Sequence, residues 1–218
     1  MSVGVEEEKR LAARAAAEMV EDGMRVGLGS GTTVAFLLEA IARRAPRAVF
    51  VASSPRTHVA ARGFGLNVQP FDVIESLDLA IDGADQIAPD GWLIKGGGGA
   101  HTREKIVAAT AKRFVVIADA TKLVDALHAP VPLELSSFGL AATLRRLETC
   151  EVRDWPASPD GGVIADYRGR VDVPEELARR LSSTPGVVAH GLFAPEMVSE
   201  LCVGVRDTVR HTIIGGTS

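Results

Sequence analysis

Glu104 follows closely on four consecutive glycines, in the run Lys95-Gly96-Gly97-Gly98-Gly99-Ala100-His101-Thr102-Arg103-Glu104. Such a run costs chain entropy and offers nothing to pack, so close approach of backbone to a ligand is its natural use. A glutamate beside it suits proton abstraction next to a carbonyl, with Lys95 and the loop amides stabilising the enediolate that develops. The alternative is a glycine linker ahead of a charged helix face.

Two further segments offer chemistry. Asp82-Gly83-Ala84-Asp85-Gln86 follows an apolar run and sets two carboxylates three residues apart. Neighbouring carboxylates separate their pKa values into one proton donor and one acceptor, hold a divalent cation, or simply cap loop amides. Gly27-Leu28-Gly29-Ser30-Gly31-Thr32-Thr33 lies between an apolar run and a helical pattern. A helix N-terminus behind such a turn presents backbone N–H groups to a phosphate or carboxylate, although an ordinary capped strand–helix turn reads the same way. The Gly-Lys-Ser/Thr ending of a nucleotide-binding P-loop is absent, and Thr32 stands where a dinucleotide fingerprint needs its third glycine. Lys122, in Asp119-Ala120-Thr121-Lys122, ends a further strand at the same edge and taken alone reads as a surface lysine.

The elements that must position these residues follow from periodicity. Residues 24–27, 48–52, 66–71, 77–81 and 114–118 are short apolar strands. Between them, helical spacing marks residues 11–20, 34–41, 57–64 and 102–111. Strands apolar on both faces and alternating with helices predict a Rossmann-like, mostly parallel sheet with helices on both faces. From residue 131 the rhythm becomes strand 133–135, helix 138–148, a hairpin of 151–155 with 163–167, helix 174–181 and strand 186–193. That β-α-β-β-α-β order predicts a smaller α+β, ferredoxin-like domain over 131–195. Residues 1–130 and 196–218 then form the α/β catalytic domain, the final stretch returning to the first sheet as strands. Eight of the 22 glycines fall in the three loops described above, and the first two of these loops along the chain follow strands, at the ends where open α/β sheets bind ligands.

Composition excludes several classes. A net charge of −4 and no Lys/Arg run longer than two argue against a nucleic-acid partner. No apolar run approaches the roughly 18 residues of a membrane span, and the acidic N-terminus is no signal peptide. Cys150 and Cys202 are far apart, consistent with a reducing cytoplasm. His58, His101, His128, His190 and His211 are scattered and form no metal set.

In order and spacing, the three loops and Ile117-Ala118-Asp119-Ala120-Thr121-Lys122 resemble type A ribose-5-phosphate isomerase. Pro185-Gly186-Val187-Val188 and Gly191-Leu192-Phe193 extend the resemblance over nearly the whole chain. It implies interconversion of D-ribose 5-phosphate and D-ribulose 5-phosphate through an enediolate, without cofactor, in the non-oxidative pentose phosphate pathway. Glu104 would move the proton between C1 and C2, while Asp82, Asp85 and Lys95 assist ring opening and handle charge on the oxygens. Ser30, Gly31, Thr32, Thr33, Gly83, Ala84, Gly96, Gly97, Gly98 and Lys122 would hold the phosphorylated pentose. A homodimer or dimer of dimers is implied as well. The sequence departs from the family at Gln86 (usually glutamate), at His101 (usually leucine) and at the Asp160-Gly161-Gly162 turn. A non-enzymatic sugar-phosphate sensor and an acyl-CoA transferase with Glu104 as nucleophile are the competing readings.

Overall fold

The computed structural model describes residues 3–214. Its largest sheet has six strands: β1 (Arg25–Leu28), β2 (Val49–Ala52), β3 (Leu79–Asp82), β6 (Phe114–Asp119), β12 (Glu200–Val205) and β13 (Thr208–Ile213). They lie in the order β13-β12-β6-β3-β1-β2, parallel except for the edge pair of β12 with β13. The alternation within strands explains the two cores. Leu79, Ile81, Val115 and Ile117 face one side, where α1 (Val3–Ala17), α2 (Thr32–Arg44) and α3 (Pro55–Gly63) contribute to the packing. Ala80, Phe114, Val116 and Ala118 face the other, against α4 (His101–Thr110). With helices on both faces, the strands are apolar throughout.

The chain leaves β1 towards β2 on one side and leaves β3 towards β6 on the other, which makes the gap between β1 and β3 a topological switch point. Gly29 and Asp82 stand there. Gly29 N–H bonds to the Ile81 carbonyl at 2.9 Å, and a side chain on Gly29 would run into the Asp82 carboxyl at 1.8 Å. Glycine is therefore required for the two strand ends to meet.

A four-stranded antiparallel sheet is built from β7 (Val131–Leu135), β8 (Cys150–Val152), β9 (Val163–Tyr167) and β10 (Val187–His190) in the order β10-β7-β9-β8. Leu147 of α5 (Leu140–Leu147) and Leu177 and Leu181 of α6 (Pro174–Ser183) bury against it. The order matches the split βαβ arrangement expected for this region. A third small sheet joins β4 (Gln86–Ile87), β5 (Leu93–Ile94) and β11 (Leu192–Phe193), and holds Lys95 directly after β5.

Two expected strands come out differently. Residues 66–71 form only a single parallel bridge, Val68 to Phe50, before Phe71–Val73 closes a 3-10 turn. Pro70 has no N–H to extend a ladder. The expected strand 186–193 is cut at Gly191 into β10 and β11, which belong to different sheets. A side chain at Gly191 would meet the Lys95 carbonyl at 2.1 Å, so the break brings this segment against the Lys95 backbone.

Candidate active site

Asp82, Lys95 and Glu104 converge beneath the switch point. Asp82 ends β3, Lys95 follows β5 and Glu104 sits in the first turn of α4. All three are buried, at 4%, 2% and 5% exposure, which places a net negative triad in a low-dielectric setting. Lys95 Nζ lies 2.8 Å from Asp82 Oδ2 and 3.2 Å from Glu104 Oε2, and donates to the Gly83 carbonyl at 2.5 Å. Asp82 Oδ1 accepts from the amides of Ser30 (2.9 Å) and Gly83 (2.7 Å). Ser30 Oγ donates to Glu104 Oε1 at 2.6 Å.

These contacts fix the electrostatics. Burial pushes the Asp82 carboxyl up to about 7, and the negative charge of Glu104 adds to the rise while Lys95 opposes it. Burial works against the Lys95 ammonium, yet Asp82 and Glu104 hold it charged, above its ordinary range.

A cavity of about 520 Å³ opens over this cluster. Lys95, Glu104, Asp85 and the loop Gly96–Gly99 line it together with Ser30–Thr33, Lys9 and Lys122. Gly31 precedes the 13-residue helix α2 with no side-chain cap, so the first-turn amides of that helix face the cavity. Lys9 Nζ donates to Thr32 Oγ1 at 2.9 Å and lies 3.9 Å from Asp119 Oδ2. The cavity thus joins the first turn of α2 and Lys9 to the Lys95–Glu104 pair. A larger cavity of about 770 Å³ lies across the Ser54–Pro55 wall, but contains neither Lys95 nor Glu104.

Most residues singled out from the sequence line the 520 Å³ cavity: Ser30, Gly31, Thr32, Thr33, Gly83, Ala84, Asp85, Lys95, Gly96, Gly97, Gly98, Glu104 and Lys122. Asp82 does not; its carboxylate is turned inward onto Lys95 and the two amides. Gln86 also points away, its amide donating to the His128 carbonyl at 2.9 Å and accepting from the His128 N–H at 2.9 Å. A glutamate has no donor for the first bond, so the departure at Gln86 acts on the 123–130 segment rather than as a charge lost from the cavity. Lys9, Arg56 and Trp155 line the cavity and were not singled out. Lys9 carried a signal: it shares the α1 stripe with Ala12, Ala13 and Ala16, all fully buried, where a lysine is out of place.

His101 is fully buried, packed on Gly96, and lines neither cavity. Burial holds its pKa down to about 4; burial first, then Lys105 and His101, holds His190 down to about 3. Both folded values lie below the ordinary 6.5, so the unfolded chain takes up more protons as pH falls from 6.5 towards 4. Stability is present above 6.5 and is lost through that window. His101→Leu is therefore expected to raise Tm relative to wild type at pH 5 and to change it little at pH 8, as read by thermal denaturation. An unchanged pH dependence contradicts this assignment.

A buried base paired with a serine and an ammonium, beside an anion-binding helix end, fits a pocket that shifts a proton along a phosphorylated sugar, the chemistry of an aldose–ketose isomerase. Residues 49–208 match the family Ribose 5-phosphate isomerase A (phosphoriboisomerase A), and residues 5–62 match the DeoR C terminal sensor domain. The chain is 42% identical to ribose-5-phosphate isomerase A of Gluconobacter oxydans, over 93% of its own length and 95% of the relative's. It is 44% identical to that of Halobacterium salinarum, over 95% and 96%. A solved D-ribose-5-phosphate isomerase in complex with phospho-erythronic acid superposes with a TM-score of 0.91 at 32% identity, over 98% of this chain and all (100%) of the other. The chain belongs to the ribose 5-phosphate isomerase A family and is an enzyme of the aldose–ketose isomerase class.

Proposed function

We propose that the enzyme interconverts D-ribose 5-phosphate and D-ribulose 5-phosphate through an enediolate, with Glu104 as the base. The observation that carries this is the setting of Glu104: buried, bonded to Ser30 Oγ at 2.6 Å, 3.2 Å from the Lys95 ammonium, and open to the cavity. Asp85, exposed at the cavity and bonded to the Gly97 amide at 2.8 Å, takes the C1 hydroxyl proton and delivers it to O4 as the ring C1–O4 bond breaks. Glu104 then removes the C2 proton, and the C2–H electrons form the C1–C2 double bond of the enediolate. Lys95 and the amide of Gly98 balance the charge on O1 and O2. Return of the proton to C1, with the O2 proton passing to O1, gives the ketose without any external oxidant. Asp82 acts through Lys95, keeping it charged and aimed.

The phosphate is read by the amides of Thr32 and Thr33, Lys9 and Lys122. Phospho-erythronic acid, held by the solved relative, combines a phosphate with a carboxylate whose paired oxygens resemble those of an enediolate. The match at 5–62 includes the α2 turn but neither Lys95 nor Glu104, so a sensor reading accounts for binding alone. Residues 1–130 with 196–218 serve as the catalytic unit, and 131–195 as a smaller unit that lends Trp155, Ala157 and Pro159 to the cavity wall. Work in the cytoplasm, in the non-oxidative pentose phosphate pathway, as a homodimer or dimer of dimers, completes the reading. Among the described residues no helix is long and apolar enough to cross a membrane, which agrees with it. The test is ketose formation from ribose 5-phosphate with no metal added; folded protein that forms none contradicts the proposal.

A further inference from the structure

The tetraglycine loop is held from outside by a side chain that the chemistry above does not use. Arg153 follows β8, in the four-stranded sheet, and its Nη1 donates to two loop carbonyls, Gly96 O at 3.2 Å and Gly97 O at 3.1 Å. Its other donors are fixed by Asp166 of β9, with Nε to Oδ2 at 2.8 Å and Nη2 to Oδ1 at 2.6 Å. That fork-to-fork pair is largely buried, with side-chain exposures of 17% and 10%, so the guanidinium has one orientation and one free edge. The backbone N–H of Arg153 also bonds to the Ile164 carbonyl at 3.0 Å, tying its root to the same sheet.

The carbonyls held by Arg153 belong to the Gly96–Gly97 and Gly97–Gly98 peptides. In a trans peptide the N–H points opposite to the C=O, so holding both carbonyls on one side turns the amides of Gly97 and Gly98 to the other. The Gly97 amide does point away from Arg153, onto Asp85 Oδ2 at 2.8 Å. Gly98 faces the Ser30–Glu104 pair: a Cβ there would come within 4.0 Å of Ser30 Oγ. Glycines lack side chains that would fix such a loop from within.

We infer that Arg153, clamped by Asp166, is a positioning residue that aims the Gly97 amide at Asp85 and the Gly98 amide at the substrate's reacting oxygens. Through it the four-stranded sheet sets the geometry of a site built on the six-stranded one. The inference rests on the isomerase reading above. Because Asp85 and the Gly98 amide act during the reaction, their misalignment falls on kcat, while the groups proposed to hold the phosphate are untouched.

The experiment measures kcat and KM on ribose 5-phosphate, with Tm, for wild type, Arg153→Met, Arg153→Lys and Asp166→Asn. Arg153→Met is expected to lower kcat about a hundredfold, the scale of a lost oxyanion donor or a misplaced loop, with KM moving only a few-fold. Arg153→Lys keeps the charge but cannot span the carboxylate and both carbonyls, so it recovers little. Asp166→Asn lowers kcat in the same direction, and the double variant is no worse than Arg153→Met alone. Should Arg153→Met not fold, Asp166→Asn, nearly the same shape as the native residue, carries the test. Wild-type kcat in a folded Arg153 variant, losses that track only the unfolded fraction, or independent effects at the two positions overturn the inference. An inactive wild type would instead overturn the isomerase reading.

Discussion

Glu104→Gln is expected to lower kcat on ribose 5-phosphate by about a thousandfold or more, within the range of general-base catalysis, and to leave KM within a few-fold. The amide has nearly the shape of the carboxylate and can still meet both neighbours. Its oxygen can face Lys95, and its NH₂ can donate to Ser30 Oγ, which accepts as readily as it donates. What it cannot do is take a proton from carbon. Binding is kept because the groups proposed to hold the phosphate, at Thr32, Thr33, Lys9 and Lys122, do not include the Glu104 carboxylate. Steady-state kinetics separate the outcomes: a fall in kcat/KM through KM alone would make Glu104 a binding residue rather than the base.

Lys95→Met has the second large effect, and it falls on both activity and stability. The ammonium is 2% exposed and lies between the carboxyls of Asp82 and Glu104. Its removal leaves two like charges buried without a cation, a change that costs about 3–5 kcal/mol when one partner of a buried pair is removed. For a chain of this size that is on the order of ten degrees in Tm. The loss of oxyanion stabilisation lowers kcat by a further factor of roughly a hundred to a thousand. The sign with pH is set by Asp82. Its folded pKa, about 7, lies above the ordinary carboxyl value, so the folded state holds a proton that the unfolded state has released. Stability from this group is present at low pH and is lost as pH rises through 7. The deficit of the methionine variant should therefore be smaller at pH 5 than at pH 8 in paired thermal melts; a deficit that grows in acid would contradict the triad's electrostatics.

Sequence carried the site further than it carried the fold's details. Ser30, Asp82, Lys95 and Glu104 lie at strand ends or next to a glycine loop, and parallel topology brings such ends to one edge whatever the strand order. The hydrogen bond from Ser30 to Glu104, across 74 residues, follows from that shared edge. The inward turn of Asp82 was not legible, because it depends on the close passage of Gly29 and on amides supplied by Ser30 and Gly83. Lys9 was legible as a lysine on an apolar stripe, while Arg56 and Trp155 sit on exposed segments that no periodicity marks. Arg153 was hidden for another reason: its role exists only where the edge of one sheet meets a loop of another. Strands β4 and β5, two residues each, are too short to show a pattern, and the break at Gly191 is dictated by the approach of the Lys95 backbone rather than by residue type.

The central claim is that Glu104 carries a proton between two carbons of a phosphorylated sugar. Its most direct test is to incubate wild type and Glu104→Gln with ribose 5-phosphate in D₂O and follow both products and label by NMR. Wild type is expected to form ribulose 5-phosphate with deuterium appearing at C1, and folded Glu104→Gln to form neither ketose nor labelled carbon at a comparable rate. Ketose formation by Glu104→Gln at the wild-type rate, or none by folded wild type, would contradict the account.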